Sequence, residues 1–286
     1  MELILKNVSK KYNKTKFVVA DFSLTLNNGI IGLLGPNGAG KSTLMKMIAT
    51  ISNPTSGSIN LDGIDIIKHP NTMRKILGYL PQDFGVYPNL TGYEFLEYIA
   101  ALKGIGGANL KTKVLQLLED VNLTEASKKP IGSYSGGMKQ RIGIAQALLS
   151  NPKVLIFDEP TVGLDPEERV RFRNLISVLA NDCIIILSSH IVSDIETIAD
   201  EVAIMKSGKL IAKGFQADII DTVTNKVFEI EIRKDELTTF KEKHLVVNTI
   251  RRKENILVRF IADDKIDSAV ACIPSLEDAY LSFSKQ

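Results

Sequence analysis

The chain has 286 residues, of which 44% are hydrophobic and 24% charged, and its formal net charge is +2. This length and apolar content predict a folded globular protein with one large or two ordinary domains. The near balance of charge gives no electrostatic argument for a nucleic acid or an anionic membrane surface as partner. No run approaches the ~18 apolar residues of a membrane span, and the start of the chain lacks a signal-peptide pattern, so we expect a cytosolic polypeptide.

The cysteine and histidine spacing gives no sign of a metal site. Cys183 and Cys272 lie far apart in the chain without Cys-x-x-Cys spacing, so we predict buried free thiols rather than a disulfide. His69, His190 and His244 are scattered and complete no ligand pattern with the cysteines. The sequence therefore predicts no structural zinc.

The first part of the chain is predicted to form strands that lead into a glycine-rich loop. Residues 1–34 alternate short apolar runs with turn residues, and the last run, Gly29–Leu34, is apolar and β-branched as buried strands are. Gly35–Thr43 follows and matches the pattern whose backbone amides cradle phosphates, whose lysine reaches the terminal phosphates and whose hydroxyl reaches Mg²⁺. The residues that we assign to nucleotide binding here are Gly35, Asn37, Gly38, Ala39, Gly40, Lys41, Ser42 and Thr43.

A helix is predicted directly after this loop. Its apolar positions recur at helical spacing, at Leu44, Met47, Ile48 and Ile51. The loop thus lies between a strand and a helix, as phosphate binding requires. A glycine loop with an incidental lysine is the alternative, and this context argues against it.

The next segment is predicted to hold a small antiparallel sheet and then a helical subdomain. Turn residues bracket a short strand at Ser58–Leu61, and Gly78–Gln82 follows as another strand. Residues 84–150 are predicted to be mainly helical, with a glycine-rich break at Lys103–Ala108. The predicted apolar faces consist of Phe95, Leu96, Ile99 and Leu102 in the first helix and Val114, Leu117, Leu118 and Val121 in the second.

Ser135-Gly136-Gly137 precedes another predicted helix. The two glycines allow the backbone to approach an anion at the positive end of that helix. The alternative is a plain turn in which Ser135 caps the helix.

Two carboxylates stand at the polar end of a predicted buried strand, Val154–Phe157. Open α/β sheets keep their ligands at such ends. We assign Asp158 to Mg²⁺, together with Ser42, and Glu159 to polarising the water that attacks the γ-phosphate. A solvated acidic turn is the alternative for an isolated Asp-Glu pair, and the phosphate loop favours the functional interpretation.

The remaining segments are predicted to be a second buried strand, a hairpin and a small appendage. Cys183–Leu187 is apolar and strand-like, and residues 202–212 form the hairpin around Ser207-Gly208. From about Phe215 the pattern changes to alternating strands and a final helix, Ser275–Phe283. We therefore predict a first unit at residues 1–215 and an α+β accessory domain at residues 216–286.

Taken in order, these motifs resemble the ATP-binding subunit of ABC transporters. The resemblance covers roughly residues 1–215 and rests on Gly35–Thr43, Gln82, Ser135–Gln140, Val154–Pro160, Gly163–Asp165 and His190. It implies an α/β fold with a P-loop NTPase (RecA-like) core, an antiparallel β subdomain and a helical subdomain. It further implies ATP and Mg²⁺ as cofactors, and two cassettes that hold each nucleotide between the loop of one and the Ser135 helix of the other.

The resemblance also implies roles for single residues. Tyr12 resembles the aromatic that stacks on adenine, with an ordinary half-buried strand tyrosine as the alternative. Gln82 resembles the residue that contacts Mg²⁺ or the attacking water, with a surface glutamine as the alternative. His190 resembles the histidine that contacts the γ-phosphate, with a histidine of no role as the alternative. Asp165 resembles the residue that communicates across the dimer, and Ser135, Gly136 and Gly137 those that bind the partner's nucleotide.

Two positions depart from the family pattern. Tyr134 and Met138 stand where leucine and glutamine are common, but the serine and glycines between them are kept, so phosphate binding is not put in doubt. The motif Tyr-Ser-Gly-Gly-Met and the segments Pro81–Pro88 and Pro274–Tyr280 resemble those of exporter-type cassettes.

The function implied is that of an ATP-hydrolysing subunit of a membrane exporter, bound peripherally at the cytoplasmic face of the cell membrane. Its expected partners are an integral membrane permease and a second ATP-binding subunit, identical or related, and no nucleic acid. A soluble ABC-type ATPase acting on ribosomes or DNA ends is the alternative. Against it, residues 44–134 carry no sustained heptads and only one motif set occurs. A scaffold that does not hydrolyse ATP would lack the base, but Glu159 is present.

Overall fold

A mostly parallel sheet at the centre of the computed structural model determines where every other element lies. The structure describes residues 1–12, 16–264 and 266–285. The strands are β1 (Leu3–Lys11), β2 (Phe17–Leu26), β3 (Gly29–Leu34), β4 (Ser56–Leu61), β5 (Ile64–Asp65), β6 (Leu77–Leu80), β7 (Val154–Asp158), β8 (Ile184–Ser189), β9 (Glu201–Lys206), β10 (Lys209–Phe215), β11 (Val227–Arg233), β12 (Leu245–Arg252), β13 (Asn255–Ile261) and β14 (Val270–Ala271). The α-helices are α1 (Lys41–Ile48), α2 (Pro70–Arg74), α3 (Gly92–Leu102), α4 (Leu110–Asp120), α5 (Gly136–Leu148), α6 (Pro166–Leu179), α7 (Val192–Glu196), α8 (Gln216–Asp221), α9 (Leu237–Lys243) and α10 (Leu276–Lys285).

The central sheet has the strand order β10-β9-β3-β8-β7-β6. All neighbours in it are parallel except the β9-β10 hairpin. Every residue of β7 and of β8 is buried, because helices or the second sheet cover both faces. The predicted parallel strands and the predicted hairpin are confirmed.

A second sheet, β2-β1-β4-β5, is antiparallel and packs over the face of the central sheet that carries α1. One continuous apolar cluster joins the two sheets through that helix, with Leu5, Phe22, Met45 and Ile156 among its fully buried members. The predicted antiparallel strand at Ser58–Leu61 is confirmed as part of β4.

Helices α3, α4 and α5 form the helical segment on the other side of the central sheet. Helix α3 begins at a capping box, in which the Thr91 hydroxyl accepts from the Glu94 N–H and the Glu94 carboxylate accepts from the Thr91 N–H. Phe95, Leu96 and Val114 are fully buried where these helices meet.

Two predicted core positions are wrong. Ile51 is 60% exposed because α1 ends at Ile48, and Leu102 is 67% exposed because it is the last residue of α3. Both residues continue the helical spacing in the sequence, but α1 ends before Ile51 and α3 ends at Leu102. Free cysteines were predicted, and both Cys183 and Cys272 are unpaired, the first buried and the second half-buried.

Beyond the β9-β10 hairpin, a third sheet with the order β12-β13-β11-β14 carries its own apolar cluster. The last helix, α10, connects this sheet to the first part of the chain. The Asp278 carboxylate of α10 is fully buried and accepts from two nitrogens of Arg259 on β13, the closer at 2.7 Å. At the start of α10, the Leu276 N–H donates to the Glu196 carboxylate at the end of α7, at 2.9 Å. No helix among the described residues is long and apolar enough to cross a membrane.

The Arg259–Asp278 pair should be the strongest single ionic contribution to the packing of α10 on the third sheet. Burial raises the pKa of Asp278, but the bonds from Arg259 and Ser275 outweigh it and the net pKa is lowered. The stabilisation is therefore present above the ordinary carboxyl pKa and is lost as the pH falls through the lowered value.

We predict that Arg259→Leu lowers the free energy of opening of the β11 and β13 amides by about 3–5 kcal/mol at neutral pH, because it leaves a buried carboxylate without a counter-charge. Hydrogen exchange followed by mass spectrometry measures this quantity. The matched control is Arg252→Leu, which removes an exposed pair with Glu231 at 3.7 Å and should cost less than about 1 kcal/mol. Equal effects of the two substitutions would contradict the assignment.

Candidate nucleotide-binding site

The glycine-rich loop lies between β3 and α1, at the carboxyl edge of the central sheet. Gly40 has a φ of 104°, and a Cβ there would lie 2.6 Å from the Val18 carbonyl oxygen. Only glycine therefore allows the loop to turn into α1 against β2. The first N–H groups of α1 have no preceding helical turn to accept them, so they remain free for an anion.

A cavity of about 340 Å³ lies over this loop. It is lined by Val18, Asn37, Gly38, Ala39, Gly40, Lys41, Ser42, Thr43, Gln82, Glu159 and His190. The structure thus brings most of the predicted loop residues together with three residues that lie far away in the chain. Gly35, the first residue of the loop, is buried and is not part of the lining.

The Lys41 side chain is hydrogen-bonded to backbone carbonyls of its own loop. Its ammonium group donates to the Gly35 carbonyl at 2.6 Å and to the Pro36 carbonyl at 3.4 Å. Burial lowers the pKa of Lys41, while the charges of Glu159 and Asp158 partly restore it. The cation therefore lies within electrostatic reach of both carboxylates.

The two carboxylates follow one another at the end of β7. Asp158 is buried, and its Oδ1 accepts from the Ser188 hydroxyl at 2.5 Å. The Glu159 N–H donates to the same hydroxyl oxygen at 3.1 Å. Glu159 has a φ of 57°, an uncommon value for a residue with a side chain, so the chain turns sharply there and Glu159 lines the cavity.

Glu159 is paired with His190 across the cavity. The Glu159 Oε2 and the His190 Nδ1 are 2.7 Å apart, and His190 directly follows β8. The Glu159 side chain is 7% exposed, whereas that of His190 is 49% exposed. The histidine is thus the more accessible member of the pair.

The other predicted site residues lie outside the cavity. Ser135 is exposed and caps α5, because its hydroxyl accepts from the Met138 N–H at 3.2 Å. Asp165 is exposed and caps α6 by accepting from the Glu168 N–H at 3.0 Å. Tyr12 lies one residue past β1 with its side chain 59% exposed.

The glycines after Ser135 lie against the loop that leads to Asp165. Gly136 is exposed, and a Cβ on Gly137 would lie 2.7 Å from the Gly163 carbonyl oxygen. The backbones of the two loops are therefore in close contact. Ser135 and Asp165 consequently belong to one continuous exposed surface that does not line this chain's own cavity.

Two residues that the sequence analysis did not assign support the site. Ser188 joins β7 to β8 through its contacts with Asp158 and Glu159. The Tyr79 hydroxyl is buried and has no hydrogen-bond partner among the described residues. Burial raises the pKa of Tyr79 to about 12, and the charge of Asp158 adds to the effect. Tyr79 lies on β6, the strand beside β7, three positions before Gln82. Only the pairing of these two strands could have identified it as a neighbour of the site.

The oxygen ligands at this edge suit magnesium. Ser42 supplies a hydroxyl and Asp158 a carboxylate, both hard oxygen donors of the kind that Mg²⁺ prefers. Among residues 1–12, 16–264 and 266–285, no group of three or more His, Cys, Asp or Glu side chains could hold a metal. Two protein oxygens fit Mg²⁺ bound to a nucleotide, because this ion usually keeps several waters and takes its other ligands from phosphate oxygens.

The fold and the cavity define a P-loop protein that binds a nucleotide. Residues 19–162 match the model of the ABC transporter family. The chain belongs to this family and is an ATP-binding subunit with ATPase activity.

Individual relatives agree with this assignment. An uncharacterized ABC transporter ATP-binding protein of Bacillus subtilis, YxlF, is 38% identical over 87% of this chain and 82% of its own length. The bacitracin transport ATP-binding protein BcrA of Enterococcus faecalis is 41% identical over 74% of this chain and 69% of its own. A solved structure described as an ATP-binding subunit of an ABC transporter has a TM-score of 0.71 at 31% identity and covers 78% of this chain and 93% of that chain.

We predict that Lys41→Met weakens ATP binding about 10- to 100-fold, because hydrogen bonds from an ammonium group to phosphate are lost. Titration calorimetry with ATP and Mg²⁺ measures the change. Lys46→Met is the matched control, since Lys46 lies exposed on the same helix. Unchanged affinity of the Lys41 variant would contradict the assignment of the loop.

Proposed function

We propose that this chain powers a membrane exporter and works as one of two cassettes that bind ATP between them. The observation that carries the proposal is the convergence of the phosphate loop, Glu159 and His190 on one cavity, with the last two in contact at 2.7 Å. Export is supported by the sequence motif around Ser135 and by the likeness to a bacitracin transport protein.

The loop binds the phosphates. The first N–H groups of α1 donate to no carbonyl of a preceding helical turn and suit phosphate oxygens, and Lys41 adds a positive charge beside them. Ser42 and Asp158 would hold Mg²⁺, and Gln82, which lines the cavity, would lie beside it. When bound, magnesium neutralises charge on the phosphate oxygens.

Glu159 and His190 act on the water and the terminal phosphate. Glu159 is the group that accepts the proton of the attacking water, since its carboxylate lines the cavity and has a histidine within hydrogen-bond distance. His190 is half-exposed, so it can reach the γ-phosphate while its Nδ1 stays on Glu159. Tyr12 stacks on the adenine at the outer rim.

A second cassette completes the site. The surface that carries Ser135, Gly136, Gly137 and Asp165 is separate from this chain's cavity, and Ser135 stands at the positive end of a 13-residue helix. In a face-to-face pair, this helix end binds the γ-phosphate held by the other cassette, and Asp165 contacts the opposite loop. Closure of the pair and hydrolysis are therefore coupled.

The chain divides into a cassette at residues 1–215, with the helical subdomain at about 84–150, and an accessory domain at residues 216–286. The cassette binds an integral membrane permease from the cytoplasmic face of the membrane. The comparisons lend no support to a soluble ATPase acting on ribosomes or DNA ends.

We predict that Glu159→Gln lowers the ATP turnover rate about 10²–10⁴-fold, because the variant keeps the shape of the side chain but cannot accept a proton. Phosphate release measures turnover, and ATP affinity should stay close to that of the wild type. Glu119→Gln, on the exposed face of α4, is the control and should leave turnover unchanged. Undiminished turnover by Glu159→Gln would remove this residue from the mechanism.

The dimer is tested by two substitutions of the helix cap in the Glu159→Gln background. Both Asn and Asp keep the cap of α5, but only Asp adds a negative charge against the partner's γ-phosphate. We predict that Ser135→Asn dimerises with ATP in size-exclusion chromatography and that Ser135→Asp stays monomeric. Equal dimerisation of the two variants would argue against a nucleotide contact at Ser135.

A further inference from the structure

The buried hydroxyl of Tyr79 lies beside the nucleotide site without a protein partner. An unpartnered buried hydroxyl is costly, so proteins rarely keep one without a reason. In the part of the chain that the structure describes, only two buried side-chain polar atoms lack a partner, Tyr79 Oη and Arg141 Nε. Arg141 is bonded through its Nη1 to three oxygens, whereas Tyr79 has no other polar side-chain atom.

The strand pairing places Tyr79 and Asp158 on one face of the central sheet. Tyr79 is opposite Ile156 in the parallel pair β6-β7, and Asp158 follows Ile156 by two residues. Residues two apart on a strand share a face, so both side chains lie on the side that carries α1. Tyr79 accordingly packs against the apolar cluster that includes Ile156 and Met45.

The backbone of Tyr79 is held firmly. Its carbonyl accepts from the Gln146 side chain of α5 at 2.8 Å, and β6 pairs with β7 along its whole length. Asp158 is equally fixed, since its Oδ1 accepts from Ser188, while Oδ2 has no hydrogen-bond donor among the described residues. The buried Tyr79 hydroxyl and the Asp158 Oδ2 atom, neither with a hydrogen-bond partner in the described part of the chain, thus lie on the same face of adjacent strands.

A water molecule between them would satisfy both groups. Buried waters typically occupy such places, where they bridge polar atoms that the protein leaves unpaired. We propose that Tyr79 is a positioning residue of the nucleotide site, whose hydroxyl donates through one water molecule to Asp158 Oδ2 and fixes the orientation of that carboxylate. This inference rests on the proposed role of Asp158 as a magnesium ligand. Partners that orient a metal ligand commonly change metal affinity without touching the metal.

Manganese is the probe for the test, because its binding in the presence of ADP can be followed by electron paramagnetic resonance without any turnover. We expect Tyr79→Phe to weaken manganese binding about tenfold, the lower end of the range for such partners, while ADP binding without metal stays unchanged. The melting temperature of the nucleotide-free Tyr79→Phe protein should stay near that of the wild type, because no direct protein hydrogen bond is lost.

Tyr134→Phe is the matched control. The Tyr134 hydroxyl donates directly to the Ala126 carbonyl at 2.7 Å in a buried position, so this variant should melt lower by about 2–4 °C and bind manganese normally. If Tyr79→Phe melts lower like Tyr134→Phe, or binds manganese like the wild type, the inference is overturned.

Asp158→Asn separates failure of the inference from failure of the proposed function. Asparagine keeps an oxygen for Ser188 but loses the charge, so it should abolish manganese binding at concentrations that saturate the wild type. If Asp158→Asn binds manganese normally, the proposed metal role of Asp158 is wrong. If Asp158→Asn loses binding and Tyr79→Phe does not, only the role of Tyr79 is wrong.

Discussion

The alignment of three adjacent parallel strands is the constraint on which the rest of this structure depends. Strands β3, β8 and β7 lie side by side and end at nearly the same level, with Leu34 opposite Ser189 and Asp158 opposite Ser188. Each strand then delivers one functional segment, namely the phosphate loop, the histidine and the two carboxylates. Residues more than 100 positions apart meet in one cavity because parallel strands present their carboxyl ends at the same edge.

Ser188 links the alignment of β7 and β8 to the two carboxylates of the site. Its hydroxyl donates to Asp158 and accepts from the Glu159 N–H, so it connects two strands at the point where the chain turns with a positive φ. The strained turn is maintained by contacts on both sides rather than by the local sequence. Displacement of β8 against β7 would therefore move Glu159 and His190 relative to the loop, which links the packing of the sheet to the hydrolytic step.

The sequence predicts the parts of the site that follow local rules. The phosphate loop between strand and helix, the carboxylates after β7 and the buried strands depend on spacing and composition, and the structure has these elements where they were predicted. Ile51 was misassigned because helical spacing continues in the sequence beyond Ile48, the last residue of α1, and Leu102 because it stands at the exposed end of α3. Tyr79 and Ser188 were missed because their importance comes from strand neighbours. The Arg259–Asp278 pair likewise joins residues that no local pattern connects.

The central claim is that the cavity of one cassette is completed by the Ser135 helix of another beneath a membrane permease. Electron cryomicroscopy of the Glu159→Gln protein, captured from host membranes in mild detergent with ATP and Mg²⁺, tests it most directly. The account predicts a multi-span protein with two facing cassettes and ATP between the Gly35–Thr43 loop of one and Ser135 of the other. Nucleotide bound to a loop whose neighbouring Ser135 helix faces solvent, or a complex without a membrane subunit, would contradict it.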